Sequence, residues 1–489
     1  MGDAAIVSRE ASADRPVHHD VVILGGGPAG SATAIRLARL GLDVALVEQA
    51  RFPRPHVGLC IADQTLALLE FLGLGDDFRA AHFWRRTLTA VRWGGADLRY
   101  AEQSGFHVDR ARLDRLLIDQ ARQVGAAIYQ PARADRLERC GDDGWRCMLT
   151  HDGQVVPLSC AFLVDAAGRR AALPGPRMKD GPPLLALHAE WSLAQPARFD
   201  GLIEAGVNAW TWFAQTRAER AMVSIFVDPA EGRSGGRDKL RATYARLLMQ
   251  FPNLRDALSG EVHGHVHACD ASSSHAADPV GYRSIRVGDA AISIDPLSSQ
   301  GVHLALQSGI QAAIISNTIL RRPDKAEIAR RFYRDRIDER VAQFTNRTLG
   351  EYARGVEHSP GPFWQQRAGD AQRPANQAPQ LRRDGMPHDT AAAMTVAQDV
   401  VFCCGPIIEG DFVEERMMLR HAAIERPTAF IDGIDVGALF SCLPERFVRQ
   451  DLARLWRDRL DAAAVDRVAN WLWQRGVMVE ANPEPCSTA

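Results

Sequence analysis

The chain first turns apolar at residues 20–24 (DVVIL), a short continuous run of the kind a fully buried strand shows. Residues 29–40 follow with Ala34, Leu37 and Ala38 on one helical face, and Val44 to Val47 make a second apolar run. The first fifty residues therefore predict a β-α-β unit. Strand-like stretches come next at 88–93 and 106–108, then a helix over 112–124, then alternating stretches near 145–149 and 155–158. Beyond 162–165 the Gly- and Pro-rich segment AAGRRAALPGPRMKDGPP reads as a crossover between units.

From 184 to 268 strand patterns dominate (HAEWSL, NAWTWFAQ, AMVSIFVD, EVHGHVHAC), broken by one helix near 238–250, which predicts a separate sheet. Residues 285–320 return to strand, loop and long helix. A further helix over 327–352 carries Ile328, Phe332, Ile337, Val341, Phe344 and Leu349 at helical spacing. A Pro-, Gln- and Gly-rich stretch at 359–386 precedes a small C-terminal unit, in which helices near 433–442, 446–457 and 463–474 lead to a strand at 476–480.

At 489 residues, two or three structural units are expected. A formal net charge of -2 gives no bulk attraction to nucleic acid or anionic membrane. The helix order of the C-terminal unit is winged-helix-like, but residues 441–476 carry seven arginines against five acidic residues, too even a balance for a nucleic-acid reader. The first twenty residues lack the features of a secretory signal and no apolar run is long enough to span a membrane, so a cytoplasmic protein is expected, with no membrane partner. Nine cysteines without paired spacing fit reduced thiols, and no metal site is expected.

Candidate chemistry begins at Gly25-Gly26-Gly27-Pro28-Ala29-Gly30, directly after a strand and opening a helix, with Glu48 ending the next strand. Gly25 permits the tight turn, Gly27 lets backbone approach a pyrophosphate, Gly30 allows close packing, and Ala29 sits in the first helical turn. The helix start favours phosphate charge and Glu48 suits ribose hydroxyls. A second constellation, Arg286 to Ala291 (RVGDAA) followed by Asp295 to Gly301 (DPLSSQG) and a long helix, closely resembles the GD motif and following loop of the FAD monooxygenase superfamily, which includes aromatic hydroxylases and flavin halogenases. The segments Val164 to Arg169 and Val108 to Asp114 are similar to two further stretches of that family. The resemblance implies FAD as cofactor. It implies that Asp289, after Gly288, binds the ribitol chain, that Asp165 and Arg110 contact the cofactor, and that Gly301 and Val302 open a helix whose N–H groups face the flavin.

It also implies a fold: α/β (α+β overall), with a Rossmann-like FAD domain interleaved with a β-sheet substrate domain, plus a small, mostly helical, winged-helix-like C-terminal domain. The expected boundaries are 18–85, 105–180 and 270–355 for the FAD domain, 86–104 and 181–269 for the substrate domain, 356–395 for a linker or exposed loop, and 396–489 for the C-terminal domain.

The family runs several reactions on one scaffold, so local residues must decide. Halogenases of the family relay their oxidant through a lysine, but this chain has only Lys179, Lys239 and Lys325 and none earlier, and Trp210-Thr211-Trp212-Phe213 continues into Ala214-Gln215 where halogenases have a Trp-x-Trp-x-Ile-Pro signature. Hydroxylation through a flavin C4a-hydroperoxide, with O2 as co-substrate, is the expectation. Pro296, Ser298 and Gln300 of the loop and His56 are the catalytic candidates, Trp210 and Trp212 are candidate substrate walls, and His263, His265 and His267 form an alternating set on one strand face. Arg54 to Cys60, the DPLSSQG loop and the C-terminal unit resemble the flavoproteins that hydroxylate tryptophan during tryptophylquinone biogenesis in quinohemoprotein amine dehydrogenase. That implies a peptide or protein substrate. NADH, NADPH or a partner reductase would supply electrons, since no second Gly-x-Gly-x-x-Gly is present. A small-aromatic hydroxylase, an isoprenoid double-bond reductase and a non-catalytic flavin-loaded partner remain the alternatives.

Overall fold

The computed structural model describes residues 16–54, 60–95, 97–232, 236–357, 359–369, 386 and 391–481. The chain divides into two compact units, residues 1–371 and 372–489.

The first unit is organised by two large sheets. The seven-stranded one runs in the order Ala127–Tyr129, Val44–Val47, Val17–Leu24, Gln154–Asp165, Trp145–His151, Ala132–Arg139, with Ser284–Arg286 alongside the end of Gln154–Asp165. Val44–Val47, Val17–Leu24, Gln154–Asp165 and Ser284–Arg286 are parallel. Their register aligns their ends: Leu24 is level with both Val47 and Asp165, and Asp165 with Arg286. Gly25, Glu48, Ala166 and Val287-Gly288 consequently leave the sheet along a single edge, the carboxyl ends of parallel strands, where open α/β sheets build their ligand crevices. Helix Pro28–Arg39 packs against the helix Gly301–Arg321 through small residues: Thr33 Oγ1 donates to the carbonyls of Ala29 (2.8 Å) and Gly309 (3.2 Å).

The eight-stranded sheet runs Glu261–Asp270, Leu185–Ser192, Arg220–Val227, Ala209–Arg217, Gly201–Ala205, Trp84–Arg92, Arg99–His107, Cys60–Ala62. One face buries Leu187, Leu202, Phe213, Val223 and Ile225 beneath Tyr244, Leu247 and Leu248 of helix Arg237–Leu248. On the other face Trp210 and Phe226 join Tyr352, Phe363 and Trp364, with Trp93 and Leu297 packed against them. Burial of aromatic side chains of this size is worth on the order of 2–3 kcal/mol each, so this cluster fixes helices Ala326–Val356 and Pro362–Ala368 over the sheet. A three-stranded sheet of Arg177–Lys179, Ser274–Ala276 and Ile292–Ser293 bridges the two regions in sequence.

The second unit combines a hairpin (Val401–Glu409 with Phe412–Arg420), a three-stranded sheet (Phe447–Val448, Ala393–Val396, Met478–Glu480) and helices Val436–Phe440, Arg449–Leu455 and Ala462–Gln474. The last helix is capped by Asp461, which accepts from the Ala464 amide at 2.7 Å, and it buries Val465, Val468, Ala469 and Leu472 against Trp456 and Met478. The hairpin adds substantial strand to a unit expected to be mostly helical. No helix among the described residues is long and apolar enough to cross a membrane.

Candidate active site

The glycine turn is built as its spacing requires. Gly25 has φ +111°, and a Cβ there would run into the Ala166 carbonyl, while a Cβ on Gly30 would run into the Gly25 carbonyl. Gly27, the N-cap of helix Pro28–Arg39, is different: its Cβ would meet only Arg54 Nη2, at 3.4 Å. The space in front of the helix start is thus kept free for a ligand, with a cation above it. Glu48 is 2% exposed, accepting from the Gly26 and Ala50 amides (2.7 Å each) and from Arg54 (3.2 Å).

Arg54 was not singled out for a role by sequence. It bridges Glu48 and Asp114 (3.4 Å) from a position 22% exposed, so its charge faces the turn. Arg110, expected to contact the cofactor, is 6% exposed and pairs with Asp114 on its own helix (2.9 and 3.2 Å). It holds the acid that orients Arg54. Asp165 likewise works through the backbone. It is fully buried, and its carboxylate accepts from the amides of Ala167 (3.1 Å), Ala172 and Leu173 (2.8 Å each). Its part is to shape the turn that faces Gly25.

On the same edge, Gly288 takes φ +56° and its amide donates to Ser308 Oγ at 2.9 Å, which ties the turn to helix Gly301–Arg321. Asp289 is left with its side chain 45% exposed, Arg169 Nε at 3.6 Å being its ion-pair partner. An accessible carboxylate, an open helix start, a cation and a buried acid along one sheet edge fit the polyol, diphosphate and ribose of FAD. Gly301 adds a second helix start with open space beside it, while Val302 is buried.

The loop between them is held rigidly. Asp295 caps the turn Pro296–Ser298, its Oδ1 accepting from the Leu297 amide (2.9 Å), and Ser298 Oγ donates to the Asp295 carbonyl (2.9 Å). Ser299 is left-handed (φ 52°) and Gln300 is the N-cap of the next helix. Ser298 therefore tightens the loop. Asp295 Oδ2 accepts from the Tyr352 hydroxyl, which in turn accepts from Trp210 Nε1. Burial pushes Asp295 up to about 6, opposed by the Leu297 amide, the Tyr352 hydroxyl and the charges of Arg367 and Arg169. Tyr352 and Arg367 lacked any motif in the sequence; only folding of the helices that carry them brings them here.

Trp210 is 1% exposed and stacked on Phe226 at 3.9 Å, a packing role. Trp212 meets His107 edge-on at 5.9 Å. His107, also unmarked by sequence, is pushed down to about 4 by burial; its Nδ1–H donates to the Gln215 carbonyl at 2.9 Å. His263, His265 and His267 all lie exposed on the edge strand, and strict alternation breaks between His263 and His267, where Gly264 takes φ +77° and the register shifts. His267 stacks on His188 at 5.5 Å. His56 lies outside the described residues. Lys179 and Lys239 are exposed, the former on the three-stranded sheet and the latter on the helix covering the far face of the eight-stranded sheet, and Lys325 lies in the turn Pro323–Lys325.

A family model described as an FAD binding domain matches residues 18–174. The chain is similar to a flavin-dependent halogenase of Armillaria mellea, armH3 (25% identity, 69% of this chain and 75% of that one), and to a tryptophan 2-halogenase of Chondromyces crocatus (28%, 62% of each). Its structure is similar to the peptidyl tryptophan dihydroxylase QhpG, essential for tryptophylquinone cofactor biogenesis (28% identity, TM-score 0.71, 94% of this chain and all of that one). It also shares the fold of the flavin-dependent halogenase CmlS (21%, TM-score 0.78, 96% and 97%). The match over residues 18–174 and these likenesses together support a place in the FAD-dependent monooxygenase superfamily, in its halogenase and hydroxylase branch.

Proposed function

We propose that the protein hydroxylates an aromatic ring, with a tryptophan side chain in a peptide or protein as substrate, in the course of tryptophylquinone biogenesis. The observation that carries the reading is that none of the three lysines, Lys179, Lys239 and Lys325, is part of the DPLSSQG loop or of the aromatic cluster on the large sheet, whereas a buried carboxylate, Asp295, is an ionisable group of that loop. The likeness to a peptidyl tryptophan dihydroxylase over 94% of the chain supports the same reading and supplies the peptide substrate.

In this reading Gly25, Gly27, Ala29 and Gly30 receive the diphosphate at the start of helix Pro28–Arg39, under Arg54. Glu48 takes the ribose, Gly288 and Asp289 the ribitol, and the amides at Gly301 and Val302 face the flavin ring. Reduced FAD, when bound, supplies with O2 the electrophilic oxygen that an electron-rich ring accepts. The protein's work is to position that ring, exclude water and take up its proton. Pro296 and Gln300 shape the loop against the cofactor, Ser298 locks it, and Asp295 accepts the proton. The electron donor is NADH, NADPH or a partner reductase.

Halogenation is the second reading, favoured by the names of the sequence relatives. Comparison of turnover of a tryptophan-containing peptide in air and under nitrogen, with reduced flavin supplied, tests the oxygenase reading. Product in air alone supports it, whereas equal product without O2 identifies a reductase.

A further inference from the structure

A narrow cleft opens between helix Ala326–Val356 and the segment Ile292–Asp295 and has Asp295 in its lining. Asp295 and Tyr352, both buried, line it together with Arg367. Ser273, Ser293, Thr345 and Thr348 give it a polar lining, and Asp180 forms part of its wall. Asp180 Oδ1 and His275 Nδ1 share a hydrogen bond of 2.7 Å whose proton either atom can hold, and the His275 side chain is 20% exposed. The cleft offers a water-accessible volume of about 40 Å³. One water needs on the order of 10–15 Å³ and two to four polar partners, so the hydroxyls and carboxylates here suit a short file of waters.

We propose that this cleft is the proton route of the site, with Asp295 as its inner terminus and the Asp180–His275 pair as its outer one. The proposal rests on the hydroxylation reading for its purpose. When a ring carbon forms its C–O bond with oxygen drawn from O2 and reduced flavin, its C–H bond must break. The C–H electron pair restores the aromatic ring, and the proton passes to a carboxylate oxygen of Asp295. A buried acid that keeps the proton works only once, so the proton has to leave. Tyr352 closes the inner side, because its single O–H already points at Asp295 Oδ2. On that side the indole N–H groups of Trp93, Trp210 and Trp364 all donate, to the Glu351 carbonyl, the Tyr352 hydroxyl and the Gly206 and Val207 carbonyls, and an indole N–H cannot take up a proton. The remaining direction is the cleft, where water can carry the proton to Asp180 and on to Nδ1 of His275, which lies in hydrogen-bond contact with it. Arg367 and Arg169 are the positive charges felt by Asp295; they favour the ionised form and so favour release down this path.

Infrared measurement of hydrogen–deuterium exchange on the Asp295 carboxyl tests the route in the holoprotein. The band is assigned by its loss in Asp295→Asn, and exchange is followed after mixing into D2O below the midpoint of its titration. Thr348→Phe, which fills the cleft, and separately Asp180→Asn and His275→Gln are expected to slow exchange about tenfold or more, with the flavin spectrum unchanged. In turnover the same variants are expected to show a larger solvent isotope effect and recovery on addition of imidazole. Exchange at the wild-type rate in all three variants overturns the proposal. Because exchange needs neither O2 nor substrate, slowed exchange with no oxygen transfer keeps the route and removes the hydroxylation reading. Oxygen transfer with unaltered exchange does the reverse.

Discussion

The Tyr352 hydroxyl donates to Asp295 Oδ2 at 3.1 Å while accepting from Trp210 Nε1 at the same distance. One oxygen thereby joins the helix Ala326–Val356, the loop Asp295 to Gln300 and the aromatic face of the eight-stranded sheet. It also fixes which way its proton points, since the indole can only donate and the carboxylate, when ionised, can only accept.

Replacing Tyr352 by Phe removes both bonds without changing the ring packing. Trp210 Nε1 is left buried without its acceptor, at a cost of about 1–3 kcal/mol. Asp295 loses a bond that favours its ionised form, so its titration moves up. Urea unfolding is expected to report the loss of stability, and the acid limb of the pH–rate profile is expected to shift to higher pH. An unmoved limb would separate Asp295 from that limb.

Asp295 also makes a prediction about stability alone. Its folded pKa is raised to about 6 from an ordinary value of 3.8. Between those values the folded state holds more protons than the unfolded state, so stability is greatest below the lower value and falls as pH rises through the upper one. At one pKa unit per about 1.4 kcal/mol, the loss is of order 3 kcal/mol. Asp295→Asn is expected to flatten that part of the pH–stability curve, to melt higher than wild type at pH above the titration, and to lower turnover by about 10²-fold or more. Thermal melts across the acidic to neutral range check it.

Gly30 and Gly27 are expected to separate structure from binding. Gly30→Ala drives a Cβ into the Gly25 carbonyl, and Gly27→Ala adds one in open space facing Arg54. The first should reduce both the melting temperature and flavin content. The second should melt within about 1 kcal/mol of wild type yet bind FAD at least tenfold more weakly, read from flavin absorbance after dialysis.

The parts of this molecule that were legible in sequence are those where chemistry and local geometry coincide. The run DVVIL followed by Gly25 to Gly30 and Glu48 is both a structural and a chemical pattern, because a turn that approaches a phosphate must also be glycine-rich. The same holds for Gly288-Asp289. The strand Ala132–Arg139 (ARADRLER) was not legible, since it is a charged edge strand with only one neighbour, and its Ala, Arg, Asp, Leu and Glu composition carries no buried alternation. Helices Gln64–Phe71 and Gly75–Ala80 are too short to show a clear period.

In the site, the residues missed are those whose role depends on long-range packing. Tyr352 meets Asp295 across 57 positions of chain, and Arg54 reaches Asp114 across 60. No local spacing encodes such pairs. Asp165 was legible as part of a motif but not in its manner of action, because a carboxylate closed over by three backbone amides looks the same in sequence as one that faces a ligand.

The central claim is that oxygen, and not halogen, reaches an aromatic ring in a polypeptide. The most direct measurement is intact-mass spectrometry of a tryptophan-containing partner subunit co-expressed with this protein in medium containing chloride and bromide. The account predicts a gain of one or two oxygens on tryptophan, labelled by ¹⁸O2 and absent with Asp289→Ala. Incorporation of chlorine or bromine, recognised by its isotope doublet, would contradict it.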